Sequence, residues 1–114
     1  MIRRVSDMEA KQIDGCHGGV GPLFGRIALM GTDGETGLRF LHDDRIPPGS
    51  TIAEHRHDDN EEVYLVVEGS GTLLLDGERI PVADGDVSLV ERGHTHGLEN
   101  TSDRDLRLIV ICIG

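Results

Sequence analysis

The sequence predicts an all-β fold, a sandwich or barrel of short strands, and three observations carry that prediction. Nine short apolar runs follow one another at 23–30, 37–42, 51–57, 62–68, 71–76, 79–83, 86–90, 95–100 and 105–113. Gly or Pro marks the breaks between them, as in Thr32-Asp33-Gly34, Pro47-Pro48-Gly49, Glu68-Gly69-Ser70-Gly71, Asp76-Gly77, Ala83-Asp84-Gly85-Asp86 and Arg92-Gly93. No segment keeps a helical period for long, and many short strands joined by turn chemistry indicate a sandwich or barrel.

Taken in order, residues 1–22 are polar and glycine-bearing and read as an N-terminal arm with at most one short strand. Residues 23–114 then form a single β-barrel domain, a size typical of one domain. Within it, Asp76-Gly77 lies between Leu73-Leu74-Leu75 and Arg79-Ile80. That is a two-residue hairpin signal, because glycine accepts the positive φ that a type I′ turn requires. Pro81 sits inside a run and marks an edge strand or a bulge, since proline has no N–H to give a ladder. In the last run, alternation puts Leu106, Leu108 and Val110 on one face. The core must come from Val, Ile and Leu, because Phe24, Phe40 and Tyr64 are the whole aromatic set.

Composition excludes some partners. Eleven basic against twenty-one acidic residues give a net charge of −10, which argues against nucleic acid or an anionic membrane surface. Two cysteines, Cys16 and Cys112, are too few for a disulfide framework, and Cys112 in Ile109-Val110-Ile111-Cys112-Ile113 reads as a buried small hydrophobe. The opening MIRRVSDMEAK has no apolar core of a signal peptide, and no stretch approaches the roughly 20 apolar residues of a membrane span. A cytoplasmic location is the expectation.

The chemistry-bearing residues lie in the middle of the chain. On a strand, His55 and His57 project to one face while Glu54 and Arg56 point away, so the two imidazoles can chelate one ion. Asp58-Asp59-Asn60 turns the chain back, and the next strand opens with Glu61-Glu62-Val63-Tyr64. Neighbouring residues face opposite sides, so one of the two glutamates reaches the ion. Imidazole with carboxylate suits one divalent transition metal, Mn, Fe, Co, Ni, Cu or Zn, whereas Ca or Mg calls for mostly oxygen ligands.

These residues stand in a familiar pattern. Gly49, His55-Arg56-His57, Glu62 and Gly69, separated by five, four and six residues, resemble the first cupin motif. Gly85, Glu91-Arg92-Gly93, His96 and Asn100, separated by five, two and three residues, are similar to the second. The resemblance covers about residues 38–113; Glu91 stands where the family usually has proline, at a turn and not at a ligand. It implies a double-stranded β-helix, or jelly-roll, barrel with the metal inside one end. Motif position then makes His55, His57, Glu62 and His96 the ligands, the spacing to Gly69 selecting Glu62 over Glu61. A homodimer formed through the sheets is a further implication.

Other candidates surround this set. His42, Tyr64 and His94 are available acid–base or orienting groups. His42 is read as a cavity-wall residue, Tyr64 as either a ligand contact or barrel packing, and His94 as a loop histidine at the mouth. His17 is expected to be a mobile surface residue of the arm, the other reading being that the arm folds over the mouth of its own or a partner's barrel. Arg26, Arg39 and Arg107 are candidates for pairing a substrate carboxylate, although each alone reads first as a surface or salt-bridged residue. Gly18-Gly19-Val20-Gly21 looks like a phosphate loop but lacks the strand–helix context. The functional expectation is a metal-binding protein that acts on or binds a small organic molecule, a carboxylate or another oxygen-bearing ligand. Dioxygenase, decarboxylase, isomerase and lyase chemistry all stay open. The alternative is a non-catalytic metal or small-ligand binding module.

Overall fold

Ten strands form where the apolar runs alternate with outward polar residues. A computed structural model describes all residues, Met1–Gly114. The strands are β1 (Glu9–Asp14), β2 (Pro22–Met30), β3 (Leu38–Ile46), β4 (Thr51–Arg56), β5 (Glu61–Glu68), β6 (Ser70–Leu75), β7 (Glu78–Ala83), β8 (Val87–Val90), β9 (Thr95–Glu99) and β10 (Leu106–Ile113). All pairings are antiparallel, in a six-stranded sheet of order β1-β2-β3-β10-β5-β8 and a four-stranded sheet of order β4-β9-β6-β7. The strand succession expected from the sequence is present. No helix is long and apolar enough to cross a membrane.

Local chemistry explains the joints. Asp76 and Gly77 both take positive φ, 47° and 82°, and close the β6–β7 hairpin as a primed turn. Pro81 lies in β7, the outer strand of the four-stranded sheet, where its missing N–H leaves no ladder partner wanting. β3 runs four residues beyond the apolar stretch that announced it, because Asp43 and Arg45 face away from the core while Asp44 is buried beside Lys11. Charge concealed that extension.

The two sheets enclose a core of Ile46, Ile52, Val66, Leu73, Leu98, Leu106, Leu108 and Val110, each at most 5% exposed. Leu106, Leu108 and Val110 do share one face, and Cys112 continues it as a buried thiol. One end of the barrel is closed by Asn100. Its amide donates to the carbonyls of Ile46 (2.8 Å) and Arg104 (2.6 Å), and its carbonyl accepts from the Ser102 backbone and hydroxyl. The other end carries the histidines.

Residues 1–22 contribute β1, which pairs with β2 along its whole length. A single 3-10 turn at Cys16–Gly18 follows and docks against the start of β4. Val20 and Thr51 hold the two segments together: the Val20 N–H donates to the Thr51 hydroxyl (2.8 Å) and the Thr51 N–H to the Val20 carbonyl (2.7 Å). Gly19 permits this approach, since a Cβ there would lie 2.4 Å from the Thr51 carbonyl oxygen.

Candidate metal centre

Three strands of two sheets bring the histidines together. β4 carries His55 and leads into His57, β9 carries His96 opposite His55 in register, and β5 carries Glu62 as its second residue. Between Ile52 and His55 the β4–β9 register slips, so Ala53 and Glu54 together face Gly97 alone. This bulge puts His55 on the same face as Ile52, three residues earlier, which regular alternation forbids. Gly97 makes the bulge possible: a Cβ there would stand 2.6 Å from the Ile52 carbonyl oxygen and 2.8 Å from the Glu54 nitrogen.

His55, His57, Glu62 and His96 each offer one ligand atom, and these atoms all lie within 4.8 Å of one another. His57 Nε2 and His96 Nε2 are 3.0 Å apart; Glu62 Oε1 lies 3.1 Å from His96 Nε2 and 3.7 Å from His57 Nε2. Donors about 2.1 Å from one ion stand about 3–4 Å apart, so three of the four already have that spacing. His57, Glu62 and His96 are buried and His55 is partly so.

The hydrogen bonds behind the rings orient them for an ion. His55 Nδ1–H donates to the Ala53 carbonyl at 2.8 Å, and His57 Nδ1–H donates to the Asn60 side-chain carbonyl. Each bond fixes the tautomer and leaves a lone pair on Nε2, the arrangement that supports ligating histidines. His55 Nε2 is buried with no hydrogen-bond partner, an orphan that a cation would satisfy. Burial also favours the neutral rings of His55 and His96: it lowers His55 to about 4 against the bond to Ala53, and lowers His96 against the pull of Glu62. The donor set therefore fits a borderline transition metal.

A cavity of about 120 Å³ adjoins Glu62. Its walls include His42 and Tyr64 from the expected set. The Tyr64 ring stacks on His96 (centroids 4.2 Å apart), and burial followed by the charge of Glu62 holds its hydroxyl well above its ordinary range, so it stays a neutral donor. His42 stacks on Phe40 and is lowered to about 4, first by burial and then by Lys11, which makes it a neutral wall residue at neutral pH.

His94 is the turn histidine expected, while the expectation for His17 is corrected. His94 lies outside the cluster: its ring is half exposed and Nδ1 pairs with Asp76 at 2.7 Å, because the residue sits in the turn before β9 and escapes strand alternation. His17 is docked over the centre, stacked on His55 with centroids 3.6 Å apart and planes 9° from parallel. The three arginines do not line the cavity. Arg107 pairs with Asp43 at 2.8 Å, Arg39 reaches Asp59 at 3.5 Å, and Arg26 is exposed on β2.

The cation at the cavity is instead Lys11, whose Nζ lies 2.8 Å from Asp44 Oδ1. Sequence reasoning passed over it, although one signal was available: Lys11 is the single lysine of the chain, beside ten arginines. Cys16 also lines the cavity, its thiol pushed up chiefly by burial.

Comparison with known proteins agrees with this geometry. The Cupin domain family model matches residues 43–112, which is more than half of the chain, and the chain belongs to the cupin family. An oxalate-binding protein of Thermotoga maritima is 28% identical over 99% of this chain and 93% of its own length. The crystal structure of a predicted oxalate decarboxylase from Thermotoga maritima superposes with a TM-score of 0.94 at 28% identity, covering 99% of this chain and 98% of the other. The polyketide cyclase RemF from Streptomyces resistomycificus has a TM-score of 0.79 at 26% identity, covering 99% of this chain and 80% of the other. The fold is thus the double-stranded β-helix barrel of small cupins.

Proposed function

We propose that this cupin holds one divalent transition metal on His55, His57, Glu62 and His96 and uses it to bind a small carboxylate. The observation that carries the reading is the buried, unpartnered His55 Nε2 facing three further donors within 4.8 Å. A bound ion supplies a Lewis acid that polarises the oxygens of its ligand. The relative that binds oxalate supports a carboxylate as the ligand class.

The chain's own groups set what enters. A cavity of about 120 Å³ is well below the 300–1,000 Å³ of drug-sized pockets, so the ligand has few heavy atoms. Leu23, Ile52 and Val110 supply apolar wall, and Tyr64 and His42 supply neutral polar contacts. His17 and Cys16 cover the approach from the docked turn.

Metal content tests the site. His57→Ala is expected to lower metal affinity by at least the roughly 10–100-fold that losing a group behind a ligand costs, read as metal per chain by elemental analysis after dialysis. Unchanged stoichiometry overturns the assignment. Oxalate consumption by the loaded protein would extend the reading from binder to enzyme.

The same proposal includes a homodimer. Val87 and Leu89 of β8, Val63 and Leu65 of β5, and Ile109 and Ile111 of β10 are adjacent in register on the outer face of the six-stranded sheet. Val87 and Leu89 are 67% and 49% exposed. A second copy of the chain would cover this uncharged patch.

A further inference from the structure

The single lysine of this acidic chain is largely withdrawn from solvent at the ligand cavity, and the metal centre accounts for no part of its position. Lys11 projects from β1 with its side chain 13% exposed, and Asp44, which faces it from β3, is 5% exposed. Burying an ammonium is costly unless it is paired, so a lysine placed here in a chain with ten arginines on offer calls for a reason.

The pair is close without being closed. Nζ and Asp44 Oδ1 are 2.8 Å apart, a charge-assisted contact that uses one side of the ammonium. An ammonium has three N–H donors and no acceptor, and Asp44 Oδ1 occupies one of them. Asp44 packs directly against Gly25 of β2, where a Cβ would lie 2.3 Å from its Oδ1. The carboxylate therefore anchors the cation, and the remaining donors stay available to the cavity.

The cavity wall thus has Glu62 of the candidate metal set at one place and Lys11 at another. An ion held by Glu62 and the histidines can take two oxygens of a chelating ligand. A monocarboxylate with an adjacent hydroxyl then presents one carboxylate oxygen beyond the ion. A dicarboxylate such as oxalate presents two, carrying the second negative charge. In a chain of net charge −10 that second charge needs a local counter-charge, and Lys11 is the cation on the cavity wall.

We propose that Lys11, anchored by Asp44, binds the outward oxygens of a metal-held ligand and makes the site selective for a small dicarboxylate over a monocarboxylate. This rests on the metal–carboxylate reading above. It also gives β1 a role in recognition beyond covering the sheet edge.

The test compares oxalate with glycolate, which forms the same five-membered chelate ring but has one carboxylate. Mn²⁺-loaded protein is titrated with each by calorimetry, with metal content checked by elemental analysis. Lys11→Met is expected to weaken oxalate by roughly tenfold to a hundredfold, the range of one charge-assisted hydrogen bond, and to weaken glycolate, which keeps one outward oxygen without the second charge, by a factor several times smaller. Because Lys11→Met leaves the Asp44 carboxylate unpaired, Lys11→Met/Asp44→Asn is measured alongside and is expected to show the same selective loss in a stable fold. Oxalate affinity retained in either folded variant, or an equal fall for both ligands, overturns the role of Lys11 alone. Wild-type protein that carries metal and binds neither acid overturns the carboxylate reading and this inference with it.

Discussion

His42 shows at the residue scale how burial decides protonation. Its folded value lies near 4, mainly because burial disfavours the charged ring, against an ordinary 6.5 in the unfolded chain. Between those values the unfolded chain takes up a proton that the folded chain refuses. The contribution of His42 to stability is therefore fully present above about pH 6.5 and is lost as pH falls toward about 4. The slope is at most about 1.4 kcal/mol per pH unit for one proton. In His42→Phe, urea midpoints at pH 7 and pH 4.5 are expected to differ less than in the wild type. Equal acid losses in the two proteins would refute this account. His17 makes a second residue-scale point: a left-handed φ of 51° and the stack on His55 keep its ring at the mouth, although its sequence surroundings read as a surface arm.

The β4–β9 pair is where element geometry creates the site. Strand alternation puts His55 and His57 on one face, but on the face opposite the one Ile52 uses. The bulge at Ala53-Glu54 overrides it by turning Ile52, His55 and His57 all inward. Gly97 is its counterpart on β9, where His96, Gly97 and Leu98 are buried in succession. Gly97→Ala places a methyl against backbone atoms of Ile52, Ala53 and Glu54 at 2.6–3.0 Å, which only a backbone shift relieves. The expected cost is about 1–3 kcal/mol of stability, with weaker metal binding because His55 moves. Thermal melts with metal titration check both effects, and a wild-type melting temperature with unaltered metal affinity would show that the bulge tolerates a side chain.

For the whole molecule, the distribution of charge matters more than its sum. The chain carries −10, which keeps copies apart over most of the surface, yet six aliphatic side chains meet on the outer face of the large sheet without a charge among them. A stable dimer buries about 1,200–2,000 Å² in total, and the broad face of a six-stranded sheet is the region able to supply it. The wild type is expected to elute at twice the 12.4 kDa chain mass by light scattering, and Leu89→Lys at the single-chain mass with its secondary structure intact. A monomeric wild type would remove the dimer and leave the metal centre unaffected.

The chain's own order of residues was enough for the strand succession, the Asp76-Gly77 hairpin, an edge or bulge at Pro81 and the shared face of Leu106, Leu108 and Val110, because period-two alternation and turn chemistry are local. It was also enough to single out His55, His57, Glu62 and His96 as a group, through motif spacing, before their atoms were known to lie within 4.8 Å. Other features required the folded chain, since each depends on residues far apart in sequence. The extent of β3 was hidden by charges that face outward or pair with Lys11, 33 positions earlier. The exclusion of His94 came from a partner in another turn, Asp76. The docking of His17 came from Val20 and Thr51, and the recruitment of Lys11 to the cavity from the β1–β2–β3 pairing. Local periodicity determines which residues face inward together. Only tertiary contact decides which inward residues share one cavity, and that is where the choice of ligand is made.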